Sequence, residues 1–360
     1  MEFLRGADRV ESVAALGRMV RMGSPASLVF GDAEAVQQHV RSGNQESALS
    51  YGTYFFQLNL SMVGSGYEWL VRWAPFLERE VASEFHSIAA DAHARWKLVV
   101  ERAQPQVLNE PVYSEVFSPT TLNANELSRY EAGTSKFSAL VSKKESLFEQ
   151  FKNHVDAADF GSAGAKFQQL WESARTDHDL ILQYVWAYAS ATASAVGEGV
   201  SQEALAWTLQ NSPSYKFGME LLKVLKPEQV AGALAEHLRG HLSGPNRTGA
   251  VQILEEEDCF RIIMNPCGSG GVMRRRGCGD ALLNFAAPTG ATFSKENVPA
   301  YCSHCAQNEI ATTKLLGYPA WVADFDHNPE KPCGWRIYKN PNKIPEHYFQ
   351  RIGVGRRAQS

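Results

Sequence analysis

The chain has 360 residues, 44% hydrophobic and 21% charged, with a formal net charge of -4. That length suggests two domains or three, and the composition is that of an ordinary globular protein. The charge excludes a global positive field for nucleic acid. The opening MEFLRGADRV lacks the apolar core of a signal peptide, and no apolar run reaches the roughly 18 residues of a membrane span. A cytoplasmic protein with reduced thiols is expected, without nucleic-acid or membrane partners.

Residues 1–245 read as almost entirely helical. The stretch 66–104 is rich in Ala, Leu, Glu and Arg, and Pro75 predicts a break or kink near its start. Residues 105–123 carry three prolines and little periodicity, which reads as a linker or extended crossing. Helices are expected at 124–155 and 163–196. The second has an apolar stripe at Phe167, Leu170, Trp171, Ala174, Ile181, Val185 and Tyr188. Shorter helices follow at 201–210 and 214–224, and a last one runs from Pro227 to about Leu242. SGPNRTG (243–249) ends the helical part.

After Gly249 the pattern changes. VQILEEE (251–257) and CFRIIMN (259–265) read as a β-hairpin. A loop rich in Gly and Arg follows to about Asp280, then a helix over 302–316 stopped by Gly317, then strands at 319–325 and 333–339. The fold class is therefore α+β. A large helical region over 1–245 precedes a small, cysteine-rich β-β-α-β-β domain over 246–350, and 351–360 form a flexible basic tail.

All six cysteines lie between Cys259 and Cys333. In a reducing compartment such clustering favours metal or redox chemistry over disulfides. Cys267 follows a strand in PCGSGG, Cys302 and Cys305 form a CxxC pair at a helix start in YCSHC, and Cys333 opens the last strand. Four thiolates satisfy a tetrahedral zinc ion, and the helix N-terminus should lower the thiol pKa of the pair. One structural zinc at Cys267, Cys302, Cys305 and Cys333 would tie hairpin, helix and final strand together. Cys259 reads as a core residue, and Cys278 as a spare ligand or exposed thiol. YCSHC also resembles the WCGHC site of thioredoxin-like oxidoreductases, so a thiol–disulfide redox protein is an alternative. A loop (SKENVPA), rather than a strand, precedes the motif here.

Three histidines are the catalytic candidates. His178 falls where the stripe of the 163–196 helix would continue, flanked by Asp177 and Asp179, and His237 and His241 share one face at four-residue spacing. They could act as acid/base groups or hold a second, catalytic metal. The loop GSGGVMRRR (268–276) offers backbone N–H groups and arginine forks for an anion. Arg274 and Arg275, with Arg247 just before the domain, are the substrate-binding candidates.

The stretch from Tyr301 to Lys339 resembles the cysteine-bearing end of 4-vinyl reductase type small-molecule-binding domains. The shared features are a helix, Leu316-Gly317, a strand, and a final strand with Cys333, Trp335 and Ile337. It is also similar to the L-2-amino-thiazoline-4-carboxylate hydrolase-like family, which pairs a helical region with such a domain. The resemblance implies a domain that binds a small molecule or metal. The expected function is metal-dependent hydrolysis of a small anionic or heterocyclic compound. The alternative is a sensing protein of the vinyl-reductase type with a structural zinc and no turnover. Self-association into a homo-oligomer stays open.

Overall fold

The first strands come earlier than composition suggests. In this computed structural model, which describes residues 3–356, β1 (Arg9–Val13) and β2 (Arg18–Met22) pair as an antiparallel hairpin. The turn is allowed by Gly17, whose φ of 62° is unfavourable for any residue with a Cβ. Val13, Val20 and Met22 cover one buried face against Phe3, while Arg21 on the other face reaches Asp8 and Asp32.

Helices fill the next two hundred residues: α1 (Asp32–Arg41), α2 (Gln45–Glu80), α3 (Phe85–Ala103), α4 (Pro111–Val116), α5 (Ala124–Glu131), α6 (Phe137–Asp156), α7 (Phe160–Val196), α8 (Glu198–Asn211), α9 (Pro213–Leu222) and α10 (Pro227–Gly240). Pro75 does not break α2; the helix runs on to Glu80. Packing of α2 against α7 and α8 outweighs the local cost of the proline. The expected helix over 124–155 is instead two, parted by Gly133 at φ 71°. The 105–123 stretch is no linker, because Val107, Tyr113, Val116, Phe117 and Leu122 are all buried in the main core. The central α7 packs on α2, α3, α6 and α8, and almost every residue of its second half is buried.

The C-terminal part comprises β3 (Gln252–Glu255), β4 (Cys259–Met264), α11 (Gly270–Arg275), β5 (Asn284–Phe285), β6 (Val298–Pro299), α12 (Ser303–Leu316), β7 (Val322–Asp324), β8 (Cys333–Tyr338) and α13 (Glu346–Arg351). One antiparallel sheet has the order β3-β4-β8-β7, and β5 pairs with β6 separately. The α+β class holds. Register sets Cys333 opposite Met264, so the end of β4 and the start of β8 lie side by side.

The hydrophobic core does not divide at residue 245. Met273, Cys278, Leu282, Tyr301 and Cys302 join the core built by α2, α3 and α7. Val230, Leu234 and Leu238 of α10 share a second core with Ile253, Ile262 and Trp335 of the sheet. At the C-terminal end, Arg351 belongs to α13 and forks onto the buried Glu309 at 2.7 and 2.8 Å, so the expected tail is ordered at its start. Its last residues, 357–360, lie outside the described residues. Among the described residues no helix is long and apolar enough to cross a membrane.

Candidate functional site

The three long-range packings, α2 on α7, α10 on the sheet and the 266–305 segment on both, leave a hollow of about 550 Å³. Its walls are largely apolar, with Met62, Trp69, Leu234, Phe293, Tyr301 and Trp335 among them. Into it face all four predicted ligand cysteines, Cys267, Cys302, Cys305 and Cys333, together with His237, His241 and His304. A cavity of this size and lining suits a small organic molecule.

The glycines of PCGSGG explain how the cysteines come together. A Cβ on Gly270 would stand 2.7 Å from Cys302 Sγ, one on Gly271 would meet Cys267 Cβ at 3.0 Å, and one on Gly268 would collide with the His241 carbonyl. The loop is glycine-rich because two other segments, at His241 and at Cys302, approach it closely and it folds back on its own Cys267, rather than because it cradles an anion. Ser269 Oγ lies 3.3 Å from Cys267 Sγ. A hydrogen bond from Cys333, helped by Ser269 and the Ser269 and Gly271 N–H groups, brings the Cys267 thiol down to about 6 despite burial. Cys333 is pushed up, since its thiol is the donor to Cys267. Burial also raises Cys302, to about 12, and Cys305, with further repulsion among the sulfurs. The expectation that the helix N-terminus would lower the CxxC thiols is therefore not met; burial wins at both. Those raised thiols are the reverse of what a disulfide oxidoreductase needs.

Cys302, Cys305 and Cys333 each sense the charge of others in the set, and Cys267 accepts a hydrogen bond from Cys333. Among the described residues no three His, Cys, Asp or Glu side chains are already drawn in to ligand spacing about one point. The two remaining cysteines are both core residues. Cys259 is buried in β4, and Cys278 packs in the main core with its thiol pushed up to about 11 by burial.

The histidines form a directed chain. His178 Nδ1 is 3.1 Å from Asp179 Oδ1, and His178 Nε2 is 3.0 Å from His241 Nδ1. Burial would raise Asp179, but Arg247, bound at 2.7 and 3.1 Å, holds it well below the usual carboxylate range, and Arg276 adds a bond at 2.6 Å. A carboxylate only accepts, so His178 carries its proton on Nδ1. Burial lowers His178 and His241, so both are neutral at pH 7. His178 Nε2 must then accept from His241 Nδ1–H, which leaves the lone pair of His241 on Nε2. Asp177 faces elsewhere, accepting from Tyr113 Oη at 2.7 Å and pairing with Lys144.

His304 follows the same logic. Its Nδ1 is 2.7 Å from the Tyr301 carbonyl, which can only accept, and Cys305 Sγ stands 3.4 Å from Nε2. Burial brings His304 down to about 4, so its Nε2 also holds a lone pair. His237 is accessible, yet protein encloses it and burial lowers it to about 4, so its open surface faces the hollow.

The predicted arginines do not line the cavity. Arg247 is bound to Asp179 and to the Leu242 carbonyl. Arg274 donates to the carbonyls of Asp326 and His327, and Arg275 to those of Pro329 and Glu330. His178 lies one step behind the wall, orienting His241. Sequence reasoning missed His304, although it sits inside the YCSHC motif, and Arg276, the third arginine of its run. No protein-family model, curated protein or solved structure matches the chain.

Proposed function

We propose that the chain is a hydrolase for a small, largely apolar, heterocyclic compound taken into the cavity, with one zinc ion held by Cys267, Cys302, Cys305 and Cys333 as a structural clamp. The observation that carries this reading is His241. Fixed in one tautomer by His178 and Asp179, it faces the same cavity as the four cysteines. A relay that holds an imidazole lone pair beside a ligand-sized hollow suits proton transfer to or from a bound molecule. The thiolate clamp is supported by the partners gathered round Cys267, which favour its ionised form before any ion binds. Four thiolates leave a zinc ion no open position, so the ion would hold structure and not activate water. An anionic substrate is no longer favoured, since Arg247, Arg274 and Arg275 are engaged by protein groups.

The resemblance of residues 301–339 to vinyl-reductase-type domains keeps one rival reading, binding without turnover, which the largely apolar lining also favours. Elemental analysis of the full chain, followed by a thermal-shift screen of neutral heterocyclic amides and lactams, separates the two. Conversion of a stabilising compound with gain of one water, abolished in a folded His241→Ala variant, supports the hydrolase. Stabilisation without conversion supports the sensor, and a chain without metal sinks the clamp.

A further inference from the structure

One guanidinium in the cavity wall has part of its hydrogen-bonding capacity unused. Arg18 opens β2, on the face that carries Val20 and Met22. Among the described residues it is the one arginine or lysine that lines the hollow. Two contacts fix the strand that presents it. The Met19 N–H donates to Gln57 Oε1 of α2 at 2.8 Å. Arg18 Nη1 donates to Glu236 Oε1 of α10 at 2.6 Å and to the Met19 carbonyl at 2.9 Å. Glu236 is held from behind, accepting from the buried Tyr54 Oη at 2.8 Å.

These partners use both hydrogens of Nη1. The other edge of the fork, Nε–H and Nη2–H side by side, has no protein partner among the described residues. Neither atom is sealed in, as the unpaired Nη2 of Arg239 is, and 21% of the side chain stays accessible. Arg21, on the same strand, shows the purely structural alternative. Its Nε, Nη1 and Nη2 are all taken, by Asp8, Asp32 and the Phe30 carbonyl. Phe3, Leu16 and His237 share the wall with Arg18, and His237 feels the Arg18 charge.

The free edge is the bidentate face of a guanidinium, two parallel N–H groups that suit a planar oxygen acceptor. The surroundings decide the charge of that acceptor. Glu236 already balances Arg18, and the rest of the wall is largely apolar, so a carboxylate would bring an uncompensated charge inside. A neutral carbonyl oxygen accepts from both N–H groups without that cost.

We propose that Arg18 is the specificity-determining residue of the cavity and holds the carbonyl oxygen of a neutral lactam or cyclic amide between its Nε–H and Nη2–H. This contact deepens the hydrolase reading, resting on the same cavity as its reaction chamber, and adds the polar group by which a substrate is chosen. The apolar body of the ligand is left to the remaining walls.

The test is calorimetric titration of the full chain with two ligand pairs. Each pair is a lactam and the amine of the same ring skeleton without the carbonyl: oxindole with indoline, and dihydroquinolinone with tetrahydroquinoline. Wild type should prefer the lactam by about 10–100-fold, the range for a hydrogen bond to a charged group. Arg18→Lys keeps a cation for Glu236 but has no pair of parallel N–H groups. The preference should fall to near parity there, with affinity for the amines unchanged. Arg18→Met combined with Glu236→Gln removes the ion pair as a unit and should give the same result, so the outcome does not hang on one variant folding; far-ultraviolet circular dichroism checks both. Indoline carboxylate should bind wild type more weakly than oxindole does. Parity in wild type, no binding of either lactam, or a preference that persists in a folded variant overturns the contact. Tighter binding of indoline carboxylate than of oxindole, lost in Arg18→Lys, would make this an anion site and overturn it as well. A lactam preference without conversion of any cavity ligand keeps the contact and removes the hydrolase; conversion without the preference does the reverse.

Discussion

His178 Nε2 lies 3.0 Å from His241 Nδ1, and this contact decides which nitrogen of His241 is offered to the cavity. A residue at 178 that cannot accept a hydrogen bond would free the His241 ring to rotate and to change tautomer. His178→Leu should lower turnover of a compound converted in the cavity by about 100-fold, the size of a positioned acid or base group, with far-ultraviolet circular dichroism unchanged. His178→Gln, whose carbonyl oxygen can still accept, should recover part of that loss. Steady-state rates of the two variants against wild type check both. Rates equal to wild type in both would place His178 outside the relay.

Asp179 is buried beneath Arg247, Arg276 and His178. Its pKa in the folded chain lies below the ordinary value of 3.8. The stabilisation is therefore fully present above about pH 4 and is lost progressively as pH falls below that value. Asp179→Asn should destabilise the neutral-pH protein by roughly 3 kcal/mol, because it leaves buried guanidinium charge uncompensated. The gap in melting temperature between wild type and variant should narrow below about pH 4. A gap constant from pH 7 to pH 3 would show that Asp179 is not ionised in the folded protein.

Gly270 leaves no room for a side chain, since a Cβ there would stand 2.7 Å from Cys302 Sγ. Gly270→Ala should move Cys302, lower stability by about 1–3 kcal/mol as overpacking does, and weaken the thiolate band in a Co²⁺ titration. Gly279→Ala, nine residues on and with nothing within 4 Å of the new Cβ, is the matched control and should be close to neutral. If both variants behave alike, close approach is not the reason for glycine at 270.

Arg275 holds the carbonyls of Pro329 and Glu330 at 2.7 and 2.9 Å, just ahead of Cys333. Arg275→Ala should loosen residues 326–332, seen as faster proteolytic nicking there, and reduce stability by roughly 1 kcal/mol. It should leave KM for a cavity-bound substrate unchanged. A rise in KM confined to anionic compounds would return Arg275 to the substrate.

Much of this arrangement was legible in residue types, and much less in their meeting. The stripe of α7 gave away its register, and His178 stood out as a polar residue within an apolar face. The CxxC pair, Cys267 and Cys333 were marked by their positions at element ends, and the register of β4 with β8 brings two of them together. His304 escaped because it reads as a spacer between two cysteines; its place in the cavity wall depends on the Tyr301 carbonyl and on the fold around it, neither of which leaves a local signal. The three arginines were read as an anion site because a guanidinium looks equally available to a ligand or to a backbone carbonyl until the fold is known. The hairpin at Arg9–Met22 was missed because its strands are short and broken by polar residues, although Gly17 marks its turn. Residues 105–123 look like a linker by proline content, yet the scattered Val107, Tyr113, Phe117 and Leu122 supply the buried side.

One wall of the cavity is thinly held. Tyr215, Met219 and Leu222 of α9 line the hollow, but the helix has no fully buried residue, and Phe217 and, two residues past its end, Val224 are 50% and 75% exposed. With so little apolar surface removed from water, this segment is anchored mainly by α8 and has a free energy of opening well below that of the whole chain. Its amides should therefore be among the first in the protein to exchange hydrogen for deuterium. A compound that fills the hollow gains contacts with the inner face of α9 and should slow that exchange selectively, while the amides of α7 stay as they were. Guests would thus enter and leave by local fraying of ten residues, without disturbing the cysteines and histidines that also line the hollow.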